Sequence, residues 1–252
     1  MSTLDALGAA ALARELETTL LGARVQDVIQ LDPLRHVLEL YGDQRRWLCL
    51  SAAPGDPGVA VAESKLRRGA APPAPLHLAM AARLEGARLR AVQWPAWERM
   101  LVFAFQGAAS FSLVAELQGR LANLLLLDEA GRILAAARTV DARQTRAREV
   151  RPGIVYQPPP PPFGRVAPDA VDALSMAAWL AAGGRGPAWR VLVDRLRAIS
   201  PLAAREGVAR AAGDPAAAAA DVDPGRLCEA LNVLLAPLRD GAWEPGVAEL
   251  SG

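Results

Sequence analysis

The sequence predicts an α+β protein: a strand-rich antiparallel domain with flanking helices, then a proline linker, then a small helical domain. Three observations carry this. Between residues 25 and 134, short apolar runs alternate with turn residues (Asp32-Pro33, Gly42-Asp43, Asp128-Glu129-Ala130-Gly131). Pro158–Pro162 are five consecutive prolines, which suit neither a helix interior nor a central strand and read as a stiff extended linker. Beyond them the composition turns Ala-rich at helical spacing. The expected organisation is a domain at 1–157, a linker at 158–167, a helical domain at 168–240 and a tail at 241–252.

Taken in order, residues 5–21 read as a helix. Leu12, Leu16 and Leu20 share a stripe, Asp5 stands where an acidic side chain caps, and Leu21-Gly22 ends it. Residues 25–31, 36–41 and 46–51 read as a strand meander. Residues 54–75, rich in Pro and Gly, read as an excursion outside the strands. A short helix follows at 75–84, stopped by Gly86, then strands at 88–93, 99–105 and 109–117. Leu124–Leu127 and the return through Ile133-Leu134 form a last hairpin. The expected later helices are 171–182, 188–199, 201–212 and 226–238, with the alanines at 216–220 as a loop or helix extension.

Composition narrows the function. The chain has 252 residues, 52% hydrophobic and 22% charged, so it is globular with a real core. Its net charge of +1 provides no global basic field, so any nucleic-acid contact rests on local patches. Of 28 basic residues only Lys65 is a lysine, which leaves a surface of planar guanidinium forks suited to phosphate. Cys49 and Cys228 form no metal or redox motif. No secretory leader is legible, because Asp5, Arg14, Glu15 and Glu17 interrupt the first apolar run, and no apolar stretch reaches membrane-spanning length. A cytoplasmic protein with no membrane partner is expected.

Catalytic signatures are missing. The two histidines, His36 and His77, have no ligand partner at useful spacing. There is no phosphate-binding lysine loop, dinucleotide fingerprint or nucleophile elbow, and Gly183-Gly184-Arg185-Gly186 reads as a turn between helices. The expectation is a protein that is not an enzyme, with no cofactor, no metal and no small-molecule substrate. The feature that stands out is the polar entry Gly119-Arg120 with Asn123 before four consecutive leucines. Those side chains either cap the sheet or face a ligand. A second basic stretch, Arg138, Arg143, Arg146, Arg148 and Arg151, has Asp141 and Glu149 as its only acids and is either a solvated face or a contact for nucleic-acid backbone.

An ordered set of landmarks resembles the NFACT N-terminal family, that of the fibronectin-binding protein A homologues and the ribosome quality-control factor RqcH. These are Leu4-Asp5-Ala6-Leu7, Leu12-Ala13-Arg14-Glu15-Leu16, Leu21-Gly22-Ala23-Arg24-Val25, Leu50-Ser51-Ala52 and Leu84-Glu85-Gly86-Ala87-Arg88-Leu89. Further along come Glu98-Arg99, Gly119-Arg120 with Asn123, Arg151-Pro152-Gly153 with Tyr156, and Ile199-Ser200-Pro201-Leu202 with Ala204-Arg205-Glu206. The resemblance implies a first domain similar to the N-terminal β-sandwich of formamidopyrimidine-DNA glycosylase, followed by a helix-hairpin-helix module. Such glycosylases use an N-terminal proline; here position 2 is Ser, so that chemistry is not expected.

The resemblance also implies a function: binding large ribosomal subunits that carry stalled peptidyl-tRNA, and recruiting tRNA for template-free C-terminal alanine tailing of the nascent chain. The implied tRNA-binding residues fall on Asp5, Glu98 and Arg99, expected to converge on one cleft. Arg120, Asn123, Arg143, Arg146, Arg148 and Ser200 are further candidate RNA contacts. The chain departs from the family pattern at Glu98, where the family has Asp, at Ala81-Ala82, where it often has Arg-Lys, and at Ala198, which replaces a hairpin glycine. Family members continue into a coiled coil and a small RNA-binding domain, whereas this sequence ends at Gly252, as a piece or as a short form. Two alternatives stand beside this reading: a fibronectin-binding adhesin, and a DNA-binding module with a glycosylase-like fold.

Overall fold

The structure is a computed structural model and describes residues 5–141 and 148–243. The described chain divides into two units, one over Leu12–Pro161 and the other formed by Asp5–Ala11 with the chain from Pro162 onward. The first helix, α1 (Ala6–Leu20), is shared between them.

In the first unit α1 buries Leu16 and Leu20 and ends at Gly22, whose φ of 80° requires a residue without Cβ. Nine antiparallel strands follow. They are β1 (Arg24–Asp32), β2 (Arg35–Tyr41), β3 (Arg45–Ala53), β4 (Asp56–Ala62), β5 (Arg88–Gln93), β6 (Met100–Gln106), β7 (Ser110–Glu116), β8 (Asn123–Leu127) and β9 (Ile133–Ala136). Their order is β4-β3-β2-β1-β5-β6-β7-β8-β9. Every neighbour pair but one is consecutive in sequence. The exception, β1 with β5, is joined at one corner, where Arg24 stands opposite Arg88 and Leu89 N–H and Val25 N–H donate to Ala23 O and Ala87 O, each at 2.9 Å. The fold is therefore two meanders linked at one corner into a single nine-stranded antiparallel sheet with flanking helices.

The two meanders share a core. Leu38, Leu40 and Leu48 come from the first, and Phe103, Leu113, Leu124 and Leu126 from the second. Helix α2 (Pro75–Leu84) adds Leu76, Met80 and Leu84. Each such side chain, fully buried, is worth roughly 1.5–3 kcal/mol. Pro75 opens α2 at a position where its missing N–H costs nothing, and Gly86, at φ 83°, follows its end. The chain between β4 and α2 is strapped across β1. Gly69 N–H donates to Gln30 O at 2.8 Å, the Gln30 side chain donates to Pro72 O at 2.9 Å, and Ala74 N–H donates to Gln30 Oε1 at 2.7 Å.

β4 corrects the expectation of an excursion over 54–75. Pro57 and Gly58 hide the strand signature, but β4 pairs only with β3, and an edge strand tolerates a proline that has no N–H to donate.

The second unit is helical: α3 (Ala173–Gly183), α4 (Ala188–Arg195), α5 (Pro201–Ala212), α6 (Pro224–Leu234) and α7 (Pro237–Asp240). Asp172, Ser200 and Asp223 cap α3, α5 and α6 by accepting from the N–H groups of Ser175, Ala203 and Arg226. Met176, Leu180, Leu192, Leu196, Val208, Leu227 and Leu231 form the core, with Leu7 of α1 against it. Two expected helices are shorter here. Residues 188–199 stop at Arg195, because Leu196 turns extended and pairs with Val166, and Ala198 takes a left-handed φ of 50°. Residues 226–238 break at Leu235–Ala236, just before Pro237.

Candidate functional site

Three strand ends meet at one end of the second meander. β6 starts at Met100, β7 ends at Glu116 and β8 starts at Asn123. These residues stand opposite one another, Met100 with Glu116 and Glu116 with Asn123. The loops that leave this end carry most of the residues singled out in the first unit.

The β5–β6 loop holds Glu98 and Arg99. Its tip is rigid: Trp97 has a left-handed φ of 60°, Trp94 Nε1 donates to Glu98 O at 2.8 Å, and Glu98 N–H donates to Pro95 O at 3.1 Å. The Trp94 and Trp97 rings meet edge to face, with centroids 6.0 Å apart. Both Glu98 and Arg99 are half-buried. Arg99 O accepts from Leu117 N–H at 2.8 Å, which fixes this loop beside the β7–β8 connection.

That connection is a single 3-10 turn, Gly119–Leu121, entered through Gly119 at φ 54°. Arg120 is exposed at its crest. Asn123 is buried and its amide is engaged at both ends: Nδ2 donates to Arg138 O at 2.9 Å, while Oδ1 accepts from the N–H groups of Leu124 at 3.0 Å and Arg138 at 2.9 Å. Of the two sequence readings for this polar entry, Asn123 takes the capping one and Arg120 leaves the ligand-facing one open. Arg138 braces the turn by donating to Arg120 O and, across the core, to Ala52 O, each at 2.9 Å.

Beneath the turn lies a cleft of about 380 Å³ lined by Arg120, Leu121, Arg138, Arg148, Pro159 and Pro160. Arg148 borders it but is neutralised: Nη2 lies 2.5 Å from Glu116 Oε2 and Nη1 donates to Gln157 O at 2.7 Å. Tyr156 donates from its hydroxyl to Glu116 Oε1 at 2.8 Å. Burial, then the Glu116 charge and its hydrogen bond, drive the Tyr156 phenol far above its ordinary range, so it stays a donor. The arrangement holds a positive rim over a satisfied polar floor. It is chemically suited to binding an anion, and among the described residues no cluster of His, Cys, Asp or Glu could hold a metal ion.

Asp5 and Ser200 lie in the second unit. Asp5 Oδ1 accepts from Gly8 N–H at 2.9 Å as the cap of α1, and Ser200 Oγ accepts from Ala203 N–H at 3.1 Å. Ala6 N–H donates to Ala198 O at 2.9 Å, so the α1 start and the α4–α5 connection are neighbours. Arg143 and Arg146 lie outside the described residues. Sequence reasoning missed Glu116 and the bracing uses of Arg138 and Tyr156; the available signal was Glu116, an acid closing the apolar run Leu113–Ala115. Among the described residues no helix is long and apolar enough to cross a membrane.

Comparison with known proteins places this geometry in context. The family model described as NFACT N-terminal and middle domains matches residues 5–250. The fibrinogen binding protein of Staphylococcus aureus superposes with a TM-score of 0.74 at 19% identity, over 94% of this chain and 83% of that one. The N-terminal part of the fibronectin/fibrinogen-binding protein of Streptococcus suis gives 0.66 at 22% identity, over 80% and 76%. The N-terminal domain of the fibronectin-binding protein PavA of Streptococcus pneumoniae gives 0.68 at 20%, over 80% and 77%. At these identities the likeness is one of fold. No curated protein matches the chain in sequence.

Proposed function

We propose a function from one premise: this chain belongs to the NFACT family, by its N-terminal and middle domains. It is an RNA-binding module that recruits tRNA to an obstructed large ribosomal subunit carrying stalled peptidyl-tRNA, in support of template-free C-terminal alanine tailing. It acts by binding, without catalysis of its own. The observation that carries the reading is the hydrogen bond from Leu117 N–H to Arg99 O, which sets the Glu98-Arg99 loop beside the Arg120 turn at one sheet end. A rigid, half-buried Arg beside two tryptophans suits bidentate contact with a phosphate or stacking on an unpaired base. Arg120 extends the same rim. Asp5, Asn123 and Arg148 serve by positioning, through the α1 cap, the turn bracket and the Glu116 pair. The α4–α5 connection, with Ser200 as the cap of α5, offers backbone N–H groups to a phosphate.

The test is a tRNA titration of wild type and Arg99→Ala at several salt concentrations. Losing one charge-assisted contact, worth roughly 1.5–3 kcal/mol, lowers affinity about tenfold to a hundredfold. It also flattens the salt slope by about one unit. Arg99→Lys rescues only part, because an ammonium lacks the planar fork. Equal affinities and slopes for wild type and Arg99→Ala overturn the reading. A second reading, binding of fibronectin or fibrinogen, is favoured by the structural neighbours, which are fibronectin- and fibrinogen-binding proteins. Immobilised fibronectin that retains the chain in physiological salt, with no tRNA binding, selects it.

A further inference from the structure

A cleft of about 810 Å³ in the first unit lies at the corner where the two meanders join. It is at the far end of β6 from Arg99, since Arg88 pairs with Gln106, the last residue of that strand. Across this corner the strands set Arg45 opposite Tyr41, Tyr41 opposite Arg24, and Arg24 opposite Arg88. Directly opposed residues share one sheet face, and like charges there repel. Arg45 has a carboxylate, Glu39 at 3.2 Å. Arg24 and Arg88 donate only to carbonyls, those of Gly86 at 3.0 Å and Gly22 at 2.9 Å. Arg46 also lines the cleft, and its buried Nε has no hydrogen-bond partner among the described residues. Among those residues, Arg24, Arg46 and Arg88 have no carboxylate partner, and Asp43 is the one acid in the lining.

We propose that this corner cleft is a phosphate-binding site, built by Arg24, Arg46 and Arg88, with the half-exposed Tyr41 ring as a platform for an attached base. Arg24 and Arg88 from one sheet face and Arg46, opposite Leu40, from the other line this cavity at the strand ends and give it N–H donors for a tetrahedral anion, and an anion relieves the repulsion of the Arg24–Arg88 pair. Tyr41 is 50% exposed beside Arg24, so a nucleotide whose phosphate sits on the arginines has a ring within reach to stack on. The phosphate comes either from a free nucleotide or from a phosphodiester of an RNA strand. The inference does not depend on the role proposed for Arg99.

The experiment is calorimetric titration of the whole chain with inorganic phosphate, 5′-AMP and a single-stranded RNA heptanucleotide, each at two salt concentrations. The double variant Arg24→Gln/Arg88→Gln is expected to lose about tenfold or more in affinity for the probes that bind. Asp43→Asn is expected to gain about threefold by removing the opposing charge. Arg24→Lys/Arg88→Lys keeps the charge and guards against loss of fold, and is expected to retain part of the binding. Heptanucleotide binding far tighter than 5′-AMP assigns the site to RNA backbone, and comparable affinities assign it to a free nucleotide. Arg99→Ala leaves 5′-AMP binding unchanged, so failure at one site is separable from failure at the other. No binding of any probe, or binding that both the Gln double variant and Asp43→Asn leave unaltered, overturns the proposal.

Discussion

Arg148 and Glu116 form an ion pair closed inside the sheet end, Nη2 to Oε2 at 2.5 Å, with side chains 13% and 1% exposed. Truncating one partner leaves the other charge buried and alone, which typically costs 3–5 kcal/mol. Arg148→Ala is therefore expected to destabilise the chain by about that amount, and Glu116→Gln by less, because the amide still accepts from Tyr156. Urea denaturation of the two variants checks the order; equal losses contradict it.

Asn123 makes a second, smaller bracket. Asn123→Ala strands both the N–H and the C=O of Arg138 at the start of β8. The expected loss is about 2–3 kcal/mol, with faster amide exchange at Arg138 than at Leu126 in the strand centre. A variant as stable as wild type shows that the turn holds without the bracket.

The pair His36 and His77 gives the chain an acid-side dependence. Their rings stack at 6.2 Å, and His36 is fully buried with both ring nitrogens unpartnered among the described residues. Burial, then the facing His77, lowers His36 to about 4 against a weaker opposing pull from Asp32. Burial and Arg68 also lower His77. In the unfolded chain His36 takes its proton near 6.5, so between 6.5 and 4 the unfolded state binds more protons. Stability then falls as pH falls through that window, by about 3 kcal/mol from His36 alone. Denaturation at pH 7 and pH 4.5 measures it, and His36→Leu is expected to remove most of the difference.

Arg120 tests the rim independently of Arg99. Residue Arg120 is exposed and, among the described residues, its side chain makes no hydrogen bond or ion pair; its carbonyl accepts from Arg138. Arg120→Ala is expected to leave stability within about 0.5 kcal/mol while weakening tRNA binding about threefold to tenfold. A stability loss without a binding change identifies Arg120 as structural.

How far the sequence discloses this molecule depends on the range of the interaction. β2 and β3 are legible because their turn, Gly42-Asp43, is local and their apolar residues form short runs. β4 is not, since Pro57 and Gly58 erase the pattern and only its place at the sheet edge permits them. Leu196 leaves its helix for a partner thirty residues back, Val166, which no helical periodicity encodes. At the candidate site, Arg120 and Asn123 stand out as polar residues before an apolar strand. Their opposite fates, one exposed and one locked, are decided by Arg138, fifteen residues downstream of Asn123. The corner cleft is illegible for the same reason: Arg24 and Arg88 become neighbours only when two meanders meet.

The junction around Arg24 and Arg88 bears on how the sheet assembles. Each meander is zipped entirely by hairpins between consecutive strands, so its hydrogen bonds form without closing a long loop. The long-range step is the meeting of β1 with β5, sixty-odd residues apart, where a short ladder forms around the Arg24–Arg88 pair: Gly22 N–H to Leu89 O, Leu89 N–H to Ala23 O, Val25 N–H to Ala87 O and Gly86 N–H to Val25 O. Because that ladder closes a far longer loop than any hairpin, zipping within each meander is expected to precede it, and the two arginines are brought face to face last.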